Sequence, residues 1–160
     1  MFPVKLSIQN RKTKIKSFLT DDDAAISVLL AASYFEWTVS RIILFCGQND
    51  ISTIRKKLKY THGLQSYKDV WKDEISSNPT NDVEPLAIAI LNWSDFYKSF
   101  QLRHKLIHGK ENCSKAYAKS RVEDILKAVD YLYAITEAKG LDIHAKLDQR
   151  TWRNCRISKD

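Results

Sequence analysis

Apolar residues recur at spacings of three and four along three long stretches of the chain, which predicts three long α-helices. The first is expected to run from a cap at Thr20, through the acidic turn DDD, to Phe45 or Cys46, with Gly47 as its stop. Its apolar residues cover more than one face of the helix, so we expect it to be buried on two sides. They include Ile26, Leu29, Leu30, Tyr34, Phe35, Trp37, Ile42 and Phe45.

The second half of the chain contains the other two long predicted helices. One follows the loop SSNPTNDVEP and ends at Gly109. The other begins at a capping box in the sequence SRVE, with Ser120 as the cap and Glu123 at the third helical position, and ends before Gly140. Because no stretch shows a convincing strand pattern, the fold class predicted is all-α, a helical bundle.

The remaining segments are shorter or less regular. One or two charged helices are predicted within residues 51–76, and a short terminal helix is predicted over 141–152. Residues 1–19 carry five Lys or Arg and no acid, and their alternating Phe2, Val4, Leu6 and Ile8 indicate either a short extended arm or a flexible basic tail. The resulting prediction is a single domain, 1–160, with a core of about 20–140, a basic N-terminal arm of 1–19 and a C-terminal extension of 141–160.

Charge and cysteine content narrow the class of protein. A net charge of +7 favours a polyanionic partner such as RNA, DNA or an acidic protein. Cys46, Cys113 and Cys155 are far apart and form no CxxC pair, which disfavours a disulfide framework or a zinc finger and favours a reducing compartment. The N-terminus lacks the apolar core of a secretory signal, and the apolar stretch 24–35 is too short to span a bilayer. We therefore expect a cytoplasmic protein without a membrane partner.

A charged residue interrupts the apolar stripe of the second long helix. Arg103 falls among apolar residues at helical spacing, and a guanidinium that faces a packed surface needs an acidic partner or a polar cavity. Glu36 is a comparable charge inside the first long helix, so a Glu36–Arg103 ion pair is predicted. The alternative to a functional role is that this is an ordinary structural ion pair at the edge of the packed core. The stripe consists of Ala89, Trp93, Phe96, Phe100 and Ile107.

Two histidines follow this arginine. On one continuous helix, His108 would point about 140° away from Arg103, but Gly109 is expected to end the helix and to free His108 to turn toward a pocket. There an imidazole can act as general acid or base near neutral pH. Alternatively, His108 simply satisfies the last carbonyls of the helix. His104 and His108 have a spacing that can ligate zinc, but no third ligand or acidic base accompanies them, so neither a metal site nor a cofactor is predicted.

The stretch from Arg103 to His108, at the junction of the last two long helices, resembles the motif of the HEPN superfamily. The resemblance covers roughly residues 20–140 and includes Glu36, because family members often carry a polar residue in an early helix. It implies a four-helix core with additional short helices, a homodimer, and a metal-independent endoribonuclease of toxin–antitoxin or phage-defence systems. It would make Arg103 and His108 the catalytic pair, with Glu36 and His104 as helpers.

Two positions depart from the family's pattern. His104 stands where the family often has Asn, and it is either a tolerated polar replacement or a second titrating group. Lys110 stands where the toxins paired with minimal nucleotidyltransferases typically have Tyr, which argues against that subgroup.

The predicted chemistry is cleavage of RNA without a metal. It needs a base for the 2′-hydroxyl, an acid for the leaving 5′-oxygen and cations for the phosphorane, and two copies of the chain would supply two of each group at a dimer interface. The alternative function is a non-catalytic HEPN-like module for dimerisation or for binding RNA or a partner. The predicted partners are RNA, a second copy of the chain and an antitoxin or other regulatory protein. A phosphate track, which a solvated face would resemble, is predicted at Lys105, Lys110, Lys115, Lys119 and Arg121.

Overall fold

The structure, a computed structural model, describes residues 6–79 and 81–145. Within these ranges the chain forms seven α-helices and one π-helical turn, and it contains no β-strand. The predicted all-α fold class is therefore confirmed. The helices are α1 (Ile8–Lys16), α2 (Ala24–Cys46), α3 (Ile51–Lys59), α4 (Gly63–Trp71), α5 (Leu86–Ala89), α6 (Trp93–Ile107) and α7 (Lys115–Ala138), with the π-helical turn at Lys72–Ser76.

The chain divides into two compact units. The first unit comprises Met1–Glu36 and Asn92–Asp130, and the second comprises Trp37–Leu91 and Tyr131–Asp160. Helices α2 and α7 contribute residues to both units. The organisation as one domain with a core of about 20–140 stays a prediction.

Aromatic packing forms the centre of the first unit. The ring of Phe35 on α2 lies 4.4 Å from Phe96 and 5.3 Å from Phe100, both on α6. Val122 and Ile125 of α7 are also completely buried. Burying aromatic and branched apolar side chains of this size stabilises a fold by about 1.5–3 kcal/mol each, so these contacts fix α2 against α6 within the unit.

The N-terminal segment differs from its prediction. Residues 8–16 form helix α1 instead of an extended arm or a tail, and the Asn10 amide donates to Ser7 Oγ at 3.3 Å to cap it. Arg11 and Ile15, four residues apart, are both buried, and the Arg11 guanidinium lies over the Tyr34 ring. The helical spacing of these buried residues outweighs the alternation seen from Leu6 to Ile8. Phe2 and Val4 lie outside the described residues.

The C-terminal end of α2 agrees with the prediction. The predicted N-terminal end was wrong, because the helix begins at Ala24 and its first turn contains no acid. Thr20 Oγ1 accepts a hydrogen bond from the Asp23 amide at 3.1 Å, so the acidic residues form a turn that precedes the helix. At the other end, a Cβ atom on Gly47 would lie 2.6 Å from the Ile43 carbonyl oxygen and 2.5 Å from Ile54 Cδ1. Gly47 therefore ends the helix because the chain approaches closely there, and a left-handed backbone is not involved.

Helix α2 also has the length and apolar character that a membrane-crossing helix needs. It is the one such helix among residues 6–79 and 81–145, and just over half of its most apolar stretch is buried inside the structure. The apolar stretch is longer than the predicted 24–35, because Glu36 and Arg41 interrupt it without ending it. Core helices of globular proteins share these properties. The cytoplasmic location stays a prediction.

The helix predicted between the loop at 76–85 and Gly109 is broken in two. Helix α5 ends at Ala89, Ile90 adopts an extended backbone, and α6 begins at Trp93. Asn92 directly precedes α6, and its side chain donates to the Asp124 carbonyl oxygen at 3.0 Å instead of capping the helix. Ala89 is therefore not part of the α6 stripe.

Helix α7 begins five residues before the predicted capping box. The Tyr117 amide donates to Ser114 Oγ at 3.4 Å, and the Ala118 amide donates to the Ser114 carbonyl oxygen at 2.8 Å. Ser114 is thus the cap, while Ser120 and Glu123 lie inside the helix. The capping-box prediction was wrong, because an earlier serine offered the same hydrogen bond.

A buried carboxylate organises the second unit. Glu74, in the π-helical turn, is fully buried and accepts hydrogen bonds from Lys57 Nζ and from the side chain and backbone of Asn49. Burial acts to raise the pKa of Glu74, but the hydrogen bonds from Lys57 and Asn49 outweigh it and hold the pKa below its ordinary value. These bonds fix the turn against the segment that leads into α3.

The segment after α7 is anchored without being helical. The Gly140 backbone is left-handed and ends α7, as predicted. Arg41 on α2 donates from Nε to the Ile143 carbonyl oxygen at 2.6 Å, and the His144 ring stacks on Tyr133. Residues 141–145 contain no helix, in contrast to the prediction for 141–152, and the rest of that prediction lies outside the described residues.

Candidate functional site

The C-terminal end of α6, in the first unit, has the geometry that its sequence predicts. Gly109 is left-handed, with φ of 62°, and its amide donates to the Leu106 carbonyl oxygen at 3.1 Å. The Lys110 amide donates to the Lys105 carbonyl oxygen at 2.9 Å, which completes a Schellman motif. The helix therefore ends at Ile107, and His108 is its C-cap residue.

The predicted ion pair between the two long helices is present. Arg103 Nη2 lies 3.2 Å from Glu36 Oε1, and the two side chains are 25% and 19% exposed. Glu36 directly follows Phe35 on α2, and Arg103 lies about one helical turn after Phe100 on α6, so the pair is next to the aromatic core. Since both charges are partly withdrawn from water, Glu36 fixes the direction in which the guanidinium points.

The two histidines lie together on the exposed side of α6. The rings of His104 and His108 are 4.4 Å apart and meet edge to face, and both residues are exposed. The prediction that Gly109 frees His108 to turn toward a pocket is wrong for the single chain, because the ring stays on the side of His104. The end of α6 thus presents two neighbouring imidazoles to solvent, close along the helix to a fixed guanidinium.

Metal ligands do not gather around these histidines. No group of three or more His, Cys, Asp or Glu in a metal-binding arrangement occurs in the part of the chain that the structure describes. The His104–His108 pair alone supplies at most two of the three or four protein ligands that zinc sites use.

Only part of the predicted phosphate track is available to a ligand. Lys105 Nζ lies 2.7 Å from Glu111, whose hydrogen bond and charge raise the pKa of that lysine. Arg121 Nη1 lies 3.2 Å from Asp124. The remaining cations of the track are exposed and have no acidic partner within residues 6–79 and 81–145; they are Lys110, Lys115 and Lys119.

Asp124 belongs to a polar cluster that the sequence did not predict. Burial raises the pKa of Asp124, and Asp95 adds to the shift while Arg121 opposes it. Ser99 Oγ donates to the Asp95 carbonyl oxygen at 2.8 Å and approaches Asp124, and the Arg121 guanidinium also lies over the Tyr117 ring. The three-residue spacing of Arg121 and Asp124 on α7 was the available signal for their pairing. This cluster orders Arg121 and leaves less of its charge for a ligand.

Comparison of the chain with protein-family models, with curated proteins and with solved structures found no match. The side chains at the end of α6, and their resemblance to the HEPN motif, are therefore the basis for assigning a function.

Proposed function

We propose that the protein is a metal-independent endoribonuclease of the HEPN type. The observation that carries the proposal is the pair of exposed imidazoles of His104 and His108, 4.4 Å apart, at the end of the helix whose Arg103 is held by Glu36. These are the groups that cleavage by 2′-hydroxyl attack requires. The family resemblance suggests a toxin or a defence protein as the biological setting.

The chemical steps follow from these groups. A neutral imidazole removes the proton of the 2′-hydroxyl, the 2′-oxygen attacks phosphorus, and the bond from phosphorus to the 5′-oxygen breaks. A protonated imidazole donates its proton to the leaving 5′-oxygen, and Arg103 stabilises the negative charge of the phosphorane. The products are a 2′,3′-cyclic phosphate and a 5′-hydroxyl. His108 is the proposed principal acid–base residue, and His104 is its helper.

A second copy of the chain would complete the site. Ile107, adjacent to His108, is 51% exposed although it is large and apolar. Ile26 and Tyr97, near the N-terminal ends of α2 and α6, are exposed as well. Exposed apolar side chains beside a polar site favour a contact with a partner. A homodimer formed there would bring together two His108 and two Arg103 side chains, together with the exposed Lys110, Lys115 and Lys119 for phosphate binding.

A cleavage assay with purified protein in EDTA tests the proposal. His108→Ala and Arg103→Ala should each abolish cleavage, whereas His62→Ala, which removes an exposed histidine of the second unit, should leave it unchanged. A substrate with 2′-O-methyl groups should resist the wild-type chain, because the attacking hydroxyl is blocked. Cleavage that survives both active-site substitutions, or that EDTA removes, would contradict the proposal.

The second candidate function is a non-catalytic module that dimerises or binds RNA or a regulatory protein. The engagement of Arg103 with Glu36 favours this candidate, since an ion pair at the edge of a core can be purely structural. It predicts RNA binding without cleavage by pure protein even at high concentration.

A further inference from the structure

The outer side of α3, in the second unit, combines three cations with an exposed tyrosine. Arg55, Lys56 and Lys59 are exposed, and Tyr60, the residue that follows the helix, is 74% exposed. We call these four residues the α3 face. The opposite side of the helix is anchored by Ile54, which is fully buried.

Helical spacing places these residues together. Arg55 and Lys59 are four residues apart, as are Lys56 and Tyr60, and residues at this spacing are neighbours on a helix surface. The α3 face is therefore one continuous patch of positive charge with an aromatic ring at its C-terminal end.

Internal ion pairs do not account for this charge. Lys57, the fourth cation of α3, lies off the face and bonds the buried Glu74. Helix α3 contains no acid, and the Asp50 carboxylate at its N-cap accepts hydrogen bonds from Ser52 and Thr53. Among residues 6–79 and 81–145, no acidic group lies within ion-pair distance of Arg55, Lys56 or Lys59. Their charges are thus available to an external anion.

The tyrosine narrows the kind of anion. Lys59 Nζ lies 5.6 Å from the centroid of the Tyr60 ring, and most of the ring is open to solvent. An exposed ring gains little from packing, but a flat ring beside cations is the arrangement on which proteins stack the unpaired bases of single strands. In a duplex the bases already stack on each other and would not reach the ring.

We propose that the α3 face binds single-stranded RNA, with Arg55, Lys56 and Lys59 on the phosphates and Tyr60 stacked on a base. The choice of RNA over single-stranded DNA rests on the proposed function, whereas the binding mode does not. An anionic membrane is the less favoured ligand, because the buried apolar residue of α3, Ile54, faces the protein interior and leaves no apolar side to enter a bilayer.

Binding of a short fluorescent RNA with 2′-O-methyl groups to the full-length wild-type chain tests this proposal, since the probe resists 2′-hydroxyl attack. Tyr60→Ala should weaken binding about tenfold, whereas Tyr60→Phe, which keeps the ring, should bind like the wild type. The triple variant R55A/K56A/K59A should reduce the slope of log affinity against log salt by about 2, because each neutralised phosphate adds about 0.7 to that slope. Circular dichroism spectra should show that all variants keep the wild-type helix content.

A matched triple variant controls for net charge. K16A/K72A/K127A removes the same charge from exposed lysines on other elements and should keep the salt slope of the wild type. Equal losses of slope in the two triple variants would overturn the proposal, as would equal RNA affinity of Tyr60→Ala and Tyr60→Phe. Stronger, Tyr60-dependent binding to phosphatidylglycerol vesicles than to RNA would overturn it in favour of a membrane.

The two proposals can fail separately. If the wild-type chain cleaves RNA but the α3 variants bind and cleave normally, only the α3 proposal falls. If the α3 variants lose RNA binding but the wild-type chain never cleaves, only the endoribonuclease proposal falls.

Discussion

Replacing Glu74 by Gln should destabilise the second unit strongly. The carboxylate is fully buried and accepts hydrogen bonds from Lys57 Nζ, from Asn49 Nδ2 at 2.8 Å and from the Asn49 amide at 3.2 Å. The NH2 group of the glutamine would face the donor groups of Lys57 and Asn49 and could not accept hydrogen bonds from them. Removing one partner of a buried ion pair costs about 3–5 kcal/mol. Because the Lys57 side chain is 35% exposed and can regain water, we expect a loss of about 2–3 kcal/mol.

Urea unfolding followed by circular dichroism measures this loss. Asp73→Asn is the matched control, because it neutralises the exposed neighbouring acid of the same π-helical turn and should change the free energy of unfolding by less than about 0.5 kcal/mol. If Glu74→Gln unfolds at the same urea concentration as Asp73→Asn, the buried carboxylate does not hold the turn and the expected destabilisation is refuted.

The pH dependence gives the same prediction an independent check. Folding lowers the pKa of Glu74 below its ordinary value of 4.5, so its contribution to stability is present above that pH. As the pH falls through the lowered pKa of the folded state, the contribution is lost. The difference in unfolding free energy between the wild type and Glu74→Gln should therefore be constant near neutral pH and shrink below pH 4.5. A difference that grows in acid would contradict the assigned direction.

Four other positions can be tested one at a time. Glu36→Gln should keep the fold but slow any RNA cleavage at least about tenfold, because Arg103 loses the carboxylate that orients it; unchanged cleavage rates would show that the pair is not needed. In the urea assay, Gly47→Ala should lower the free energy of unfolding by about 1–3 kcal/mol, because the added Cβ would meet the Ile43 carbonyl oxygen at 2.6 Å. Gly109→Asn should lower it by less than about 1 kcal/mol, because asparagine tolerates the left-handed backbone at that position. Burial raises the pKa of the Cys113 thiol above its ordinary value of 9.0. With the other two cysteines replaced by Ser, Cys113 should therefore react slowly with iodoacetamide at neutral pH, and the reaction rate should still rise above pH 9.0. A rate that reaches its plateau below that pH would contradict this.

The features that the sequence predicted correctly depend on strong local signals or on large energetic penalties. Gly109 follows the last helical turn, where a left-handed residue is needed, so the end of α6 was predictable. The Glu36–Arg103 pair was predictable because two isolated charges in apolar stripes are far more stable when they meet. In both cases the physical requirement has few alternative solutions.

The features that were missed depend on choices between nearly equivalent local signals. Ser114 and Ser120 offer similar caps, and the chain uses the earlier one for α7. The break at Ile90 precedes a contact between Asn92 and the Asp124 carbonyl oxygen, which no spacing on α6 reveals. The same holds for the orientation of His108, whose ring contact with His104 depends on the conformation of the cap residue.

The Glu36–Arg103 pair also constrains how this protein can diverge. Loss of either residue alone leaves a partly buried charge without its partner, so a lineage that changes one position gains by changing the other, either to a reversed pair or to two apolar residues. His104 and His108 are exposed and carry no such mutual dependence for folding. In related chains, positions 36 and 103 should therefore vary together, while any constraint on position 108 would reflect selection for activity.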